Sequence, residues 1–193
     1  MAGADAENKI AEAAFRVLAK KRWDALTLAD VAKAAKLSLP ALLREVPAKP
    51  RLIGLLLQRS VADTLKRYKP DRSSHTPRER AFDVAMCWFE ALGPRKTAVR
   101  NLHGGLVRDP LALIAARQDI LSAAATLLAL AEADTGPSGL KAIGFALALA
   151  RAIPAWLADG KDLSKTMASL DGDFGRAEDL SKRFGKKSKR AGG

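Results

Sequence analysis

The 193 residues include a single cysteine, two histidines and a single tyrosine. Cys87, being alone, excludes an intramolecular disulfide framework, and a reducing compartment is the default expectation. His75 and His103 by themselves cannot furnish an all-Cys/His structural zinc site, which leaves only mixed carboxylate sites open. Aromatic residues make up only 5% of the chain. Runs of β-branched residues are scarce, while Ala and Leu dominate. That balance excludes a sheet-rich domain and predicts an all-α protein. There is no glycine-rich phosphate loop, no GxSxG, no His–Glu pair at metal-binding helical spacing and no carboxylate pair flanked by aromatics. Accordingly no catalytic residue, metal ligand or cofactor is nominated, and the chain is not expected to be an enzyme. Cys87 reads as a small core residue, since nothing in its surroundings would lower its thiol pKa. The pair around Asp171-Gly172-Asp173 reads as a cap or turn.

Long apolar runs are also missing. Residues 139–159 come nearest, but Lys141, Arg151 and Pro154 interrupt them, which favours a buried helix over a membrane span. The opening residues carry Asp5 and Glu7 and no apolar core, so a soluble, cytoplasmic protein is expected.

What the sequence does have is basic charge, unevenly placed. Its 33 Lys and Arg outnumber its 21 Asp and Glu, for a net charge of +12. Residues 1–69 hold 14 basic and 7 acidic side chains, residues 70–180 hold 13 and 14, and residues 181–193 hold 6 and none. A basic head and a basic tail therefore flank a nearly neutral body. Such asymmetry attracts polyanions, either nucleic acid or anionic lipid.

Apolar spacing predicts a helix over 6–21, with Ile10, Ala14, Val17 and Leu18 on one face. A short helix follows from Thr27, whose pairing with Asp30 resembles a capping box. Ser38 suits the N-cap of a third short helix, 39–46, with Pro40 in its first turn. A fourth helix spans 50–68. The turn-forming loop 69–77 is the best domain boundary. Helices at 78–92, 94–107, 110–133, 138–158 and 162–184 follow, the last starting from an Asp162 cap. The domain reading is a head over 6–48, a connecting helix over 49–69, a body over 76–184 and a disordered basic tail over 185–193.

Two short helices joined by a tight turn, behind an amphipathic helix, make a helix-turn-helix. The second would enter the major groove, placing Leu39, Pro40, Ala41 and Arg44 towards bases. Thr27, Lys33, Lys36, Ser38 and Lys49 would face phosphates. The segments KIAEAAFRVLAKKRW, LTLADVAKAAKLS and LPALLREVPAKPRLIGLLL, within residues 9–57, resemble the TetR family of bacterial repressors. The spacing of Thr27, Ala32, Ser38 and Lys49 carries the likeness. The resemblance implies a TetR-like fold, a homodimer reading a pseudo-palindromic duplex operator, and a small apolar effector bound within the body. It also implies that the last two long helices, 138–158 and 162–184, form the dimer interface.

This chain departs from the family at two places. Lys36 stands where a turn glycine is usual, and a left-handed Lys costs about 1 kcal/mol, so a slightly different turn is expected. Leu43, Arg44, Glu45 and Val46 occupy the places of an aromatic-rich helix end, where Leu43 has no donor for phosphate and Glu45 adds negative charge.

For the body, Phe82, Met86, Trp88, Phe89, Phe145 and Trp156 are candidate pocket or core residues. His103, ahead of Gly104-Gly105, either lines a cavity at a helix break or is a satisfied histidine beside a kink. The stretches RERAFDVAMCWFEALGPRKTAVRNL and DLSKTMASLDGDFGRAEDL resemble a second family, the TetR-fold accessory proteins of ubiquinone biosynthesis. That likeness implies lipid binding and an anionic-membrane contact by Leu180 and Phe184 amid the basic tail.

Overall fold

The computed structural model describes residues 2–69, 76–132, 138–160 and 162–176. The basic tail, Leu180, Phe184 and His75 lie outside the described residues, as does most of the 69–77 boundary loop. In chain order the helices are α1 (Ala2–Leu18), α2 (Leu28–Ala35), α3 (Leu39–Glu45), α4 (Arg51–Arg67), α5 (Pro77–Leu92), α6 (Lys96–Leu106), α7 (Pro110–Ala115), α8 (Arg117–Leu130) and α9 (Ser138–Ala158). A 3₁₀ turn, Gly93–Arg95, joins α5 to α6. Residues 164–176 form a further helix, α10, and no strand occurs among the described residues.

The expected face of α1 is the buried one, with Ile10, Ala14 and Leu18 inaccessible to solvent. It packs on α2, α3, α4 and α6, so one amphipathic helix organises the head and meets the body. Helix α4 is buried more widely than a single stripe, through Leu52, Ile53, Leu55, Leu56, Val61 and Thr64. It must face α1 on one side and α5 and α8 on the others. A side chain at Gly54 would place its first carbon 2.5 Å from the Asp119 carboxyl group, so glycine lets α8 approach α4. Beside it Arg51 reaches Asp119 at 3.0 Å and Glu7 at 3.2 Å, tying three helices together.

Three expectations change here. The single helix over 110–133 is two helices, divided at Ala116, where ψ is 1°. Ala112 and Ala116 are both buried against neighbouring helices, so packing sets the break and no breaker residue is needed. The N-terminal bonds of α10 come from Asp159 and not from Asp162: the buried Asp159 carboxylate accepts from the Thr166 N–H at 2.8 Å and the Thr166 hydroxyl at 2.6 Å. Asp171 and Asp173 lie inside α10 and form no turn. Asp173 pairs with Arg151 of α9 at 3.2 Å and with Arg176 at 2.6 Å.

Helix α9 is long and apolar enough to cross a membrane by length and composition, with a mean hydropathy of 1.5. One face of it is core, as Ala142, Phe145, Leu149, Ala152 and Trp156 are buried.

Candidate nucleic-acid interface and ligand cavity

Short-range bonds cap both short helices of the helix-turn-helix. The Thr27 hydroxyl accepts from the Asp30 N–H at 3.1 Å, and the Asp30 carboxylate accepts from the Thr27 N–H at 3.1 Å, completing the capping box of α2. Lys21 adds an ion pair to Asp30 at 2.8 Å. The Lys21 ammonium, then the Thr27 bonds, hold the Asp30 carboxyl well below its usual range, at about 2. A depressed carboxylate pKa contributes stability above the unfolded value, near 4, that is lost as pH falls towards 2. Asp30→Asn is therefore expected to flatten the acid limb of a melting-temperature series between about pH 4 and 2; an unchanged limb would refute this assignment.

Helix α2 ends at Lys36, whose φ of 55° and ψ of 44° are left-handed. The Leu37 N–H reaches the Ala32 carbonyl at 2.9 Å, and the Lys36 N–H reaches the Lys33 carbonyl at 3.1 Å. These are the two bonds of a Schellman ending. The turn thus keeps the geometry that favours glycine, and the expected deviation does not occur; the local bonds offset the strain. Lys36→Gly is expected to raise stability by about 0.5–1 kcal/mol, less than the full relief because glycine gains unfolded-state entropy. Urea denaturation checks the sign.

Ser38 caps α3, its oxygen accepting from the Ala41 N–H at 3.3 Å. Helix α3 anchors itself through Leu42 and Val46, both inaccessible, and turns its other side outward. Leu39 is 40% exposed and Leu43 39%. Pro40 and Arg44 are exposed, while Ala41 and Glu45 are half-buried on the flank. Lys33, Lys36 and Arg44 are exposed and make no hydrogen bond or ion pair among the described residues.

Two expected phosphate contacts are committed elsewhere. The Thr27 hydroxyl donates its one proton to the Asp30 carboxylate at 2.9 Å. The Lys49 ammonium donates to the Trp23 carbonyl and sits 4.6 Å from the centre of its indole. Burial, only partly countered by Asp109 and Asp24, lowers the Lys49 pKa.

Trp23, only 1% exposed, joins head to body. Its indole N–H donates to Asp109 at 3.1 Å, and its backbone N–H donates to the Asn101 carbonyl at 3.2 Å. Asn101 in turn donates to the Leu18 carbonyl at 2.7 Å. A side chain on Gly105 would place its first carbon 2.5 Å from the Trp23 Cβ, so only glycine admits the contact. The Gly104-Gly105 pair therefore does not break α6, which continues to Leu106.

Directly behind this joint lies an apolar cavity of about 290 Å³. Helix α4 contributes Ile53, Leu56 and Leu57; α6 contributes Leu102, His103 and Leu106, with Val107 just past its end; α8 contributes Ile120, Ala123 and Leu127; α9 contributes Ala146, Leu149 and Ile153. Among the described residues no Asp, Glu, Lys or Arg lines it. Ser60 is already spent, donating to the Leu57 carbonyl at 2.7 Å and accepting from the Trp88 indole at 2.9 Å. His103 is half-buried at the edge of the cavity and makes no hydrogen bond to a described residue.

Of the seven residues named as candidates, Trp88 and His103 line the cavity, and Phe82, Met86, Phe89, Phe145 and Trp156 do not. Helix α5 turns Phe82 to Phe174 at 6.4 Å and Phe89 to Trp156 at 5.6 Å, while its neighbouring face, Trp88 and Leu92, meets the cavity. Phe145 stacks on Phe174 at 5.9 Å. The sequence reading found aromatics and missed the aliphatic and alanine lining, which no motif marks. Cys87 is half-buried, and burial with nearby Glu90 pushes its thiol pKa up.

On the far side of α9, Leu140, Ile143 and Leu147 form an exposed apolar stripe, with Met167 exposed on α10.

No protein-family model matches the sequence, and no curated protein matches it. Solved structures do match. A TetR transcriptional regulator from Rhodococcus sp. RHA1 superposes with a TM-score of 0.65 at 14% identity, over 88% of this chain and 94% of that one. A TetR transcriptional regulator from Nitrosomonas europaea gives 0.62 at 19% identity, over 89% and 97%. A tetR-family transcriptional regulator from Streptomyces coelicolor gives 0.52 at 19% identity, over 93% and 83%. At such identities the likeness is one of architecture: this chain has the all-α TetR fold.

Proposed function

We propose that the protein is a homodimeric, cytoplasmic transcription regulator that binds a duplex operator through α3 and releases it when a small, uncharged, apolar effector enters the cavity. The observation that carries this reading is the outward face of α3, exposed and flanked by the free cations of Lys33, Lys36 and Arg44. Lys33 and Lys36 supply phosphate attraction and Arg44 reaches the groove. Thr27 and Lys49 act inside the head, as cap and anchor. The stripe Leu140, Ile143 and Leu147 on α9, with Met167 on α10, supports pairing of two copies there, which sets two heads side by side.

The joint at Trp23 supports the coupling. Leu102, His103 and Leu106 of α6 face the cavity, while Asn101 and Gly105 of the same helix hold Trp23. An occupant that displaces α6 therefore displaces the seat of the head. The lack of charged lining favours a neutral effector, and His103 offers it one hydrogen bond.

Selection from a random duplex pool at about physiological salt tests the reading: pseudo-palindromic half-sites about one helical turn apart are expected. Recovery of no sequence above the starting pool would overturn it. Lipid extracted with the purified protein, combined with no duplex preference, would favour the lipid-binding alternative. Ala123→Phe, which fills the cavity, is expected to abolish the fluorescence rise of Nile red, a neutral apolar dye, while leaving duplex affinity within about twofold. Undiminished dye binding would place the ligand elsewhere.

A further inference from the structure

Successive residues of a helix turn about 100° around its axis, so Leu39, Leu43, Pro40 and Arg44 fall on one continuous arc of α3, in that angular order. All four are exposed, whereas Leu42, and Val46 just past the helix end, are buried in the core beside the Leu39 edge of the arc, and Ala41 and Glu45 on the side away from it are half-buried. The arc carries no amide, hydroxyl or carboxylate. Ser38, just before it, has its oxygen engaged by the Ala41 N–H at 3.3 Å.

In the major groove, adenine needs a bidentate amide and cytosine needs an acceptor, and the arc has neither. Thymine presents a C5 methyl group that apolar side chains cover, and guanine presents O6 and N7 to a guanidinium fork. The cations around the arc, Lys33, Lys36 and Arg44, make no ion pair among the described residues, which favours a polyanionic duplex as its occupant.

We propose that α3 specifies its half-site mainly through thymine methyl groups, covered by Leu39, Pro40 and Leu43, with one guanine read by Arg44. This rests on the operator-binding reading above and assigns its sequence chemistry.

The test uses the full chain and the duplex recovered by selection. Replacing a contacted thymine by deoxyuridine removes only the methyl group and is expected to weaken binding about fourfold per position. Placing a 5-methylcytosine·guanine pair there, which keeps the methyl but exchanges the neighbouring acceptor for a donor, is expected to retain most of the affinity. Leu39→Ala and Leu43→Ala are expected to abolish the deoxyuridine effect, and both alter exposed side chains. Arg44→Ala is expected to cost about 5- to 150-fold and to relax preference at one guanine only. Thermal melting confirms that each variant is folded. Specific binding that is indifferent to deoxyuridine, or a consensus without thymine, overturns this inference while leaving the regulator intact. Absence of any sequence preference removes the regulator reading itself.

Discussion

Trp23→Ala is expected to lower the free energy of unfolding by about 3–5 kcal/mol, the range for truncating a large buried aromatic. The residue closes the gap between head and body: its ring lies between the Lys49 ammonium and α6, and its N–H is held by Asp109 at 3.1 Å. Truncation empties the space the ring fills beside the Lys49 ammonium and leaves Asp109 with its cap to the Ala112 N–H at 3.1 Å. Trp23→Phe keeps most of the volume and loses the donor, so a smaller loss of about 1–2 kcal/mol is expected. Gly105→Ala forces the same joint apart from below and is expected to cost about 1–3 kcal/mol. Chemical denaturation measures all three. A Trp23→Ala protein within about 1 kcal/mol of the parent would mean that head and body are held chiefly by other contacts. With the ring gone the joint keeps only the backbone bond to Asn101 and the Cβ contact with Gly105, so operator affinity in this variant is expected to respond less to cavity ligands.

Arg95→Ala is the second large effect, expected at about 2–3 kcal/mol. Arg95 forks between Asp63 and Glu12, at 2.7 Å each, and its guanidinium lies 4.7 Å from the Phe15 ring centre. Arg59 reaches the same carboxylates, at 3.0 Å from Glu12 and 3.2 Å from Asp63. Two carboxylates thus share two guanidiniums across α1, α4 and the α5–α6 turn. Losing one guanidinium leaves a like-charged pair with a single counterion. For fully buried networks that removal costs about 3–5 kcal/mol. Here the Arg95 and Asp63 side chains are 17% and 16% exposed, so partial solvation reduces the loss. Arg95→Lys keeps the charge but cannot fork, and an intermediate cost is expected. Denaturant midpoints at low and high salt test the assignment, since the ion-pair contribution shrinks with salt. Equal midpoints for Arg95→Ala and the parent would show the network to be idle.

Much of the head was already legible in the amino-acid sequence, because short-range chemistry decides it. Thr27 with Asp30, Ser38 three residues before Ala41, and Pro40 in a first turn act within one helical turn, so residue type and spacing settle the caps. Ile10, Ala14 and Leu18 show their face by periodicity alone, and the basic excess of residues 1–69 is simple counting. Tertiary structure decided everything in which two distant segments compete for one group. Lys33, Lys36 and Lys49 look alike in sequence, yet only Lys49 is drawn onto Trp23, because the connection from α3 to α4 passes beside it. Lys36 takes a left-handed turn that propensity disfavours, since α1 and α3 must pack at that angle. Phe82, Phe89 and Phe145 went to aromatic packing with Phe174 and Trp156, leaving the cavity to aliphatic side chains whose pattern is that of any core. Where the helices cross, and therefore which faces leave a void, depends on how whole helices pack, and no local run of residues encodes it.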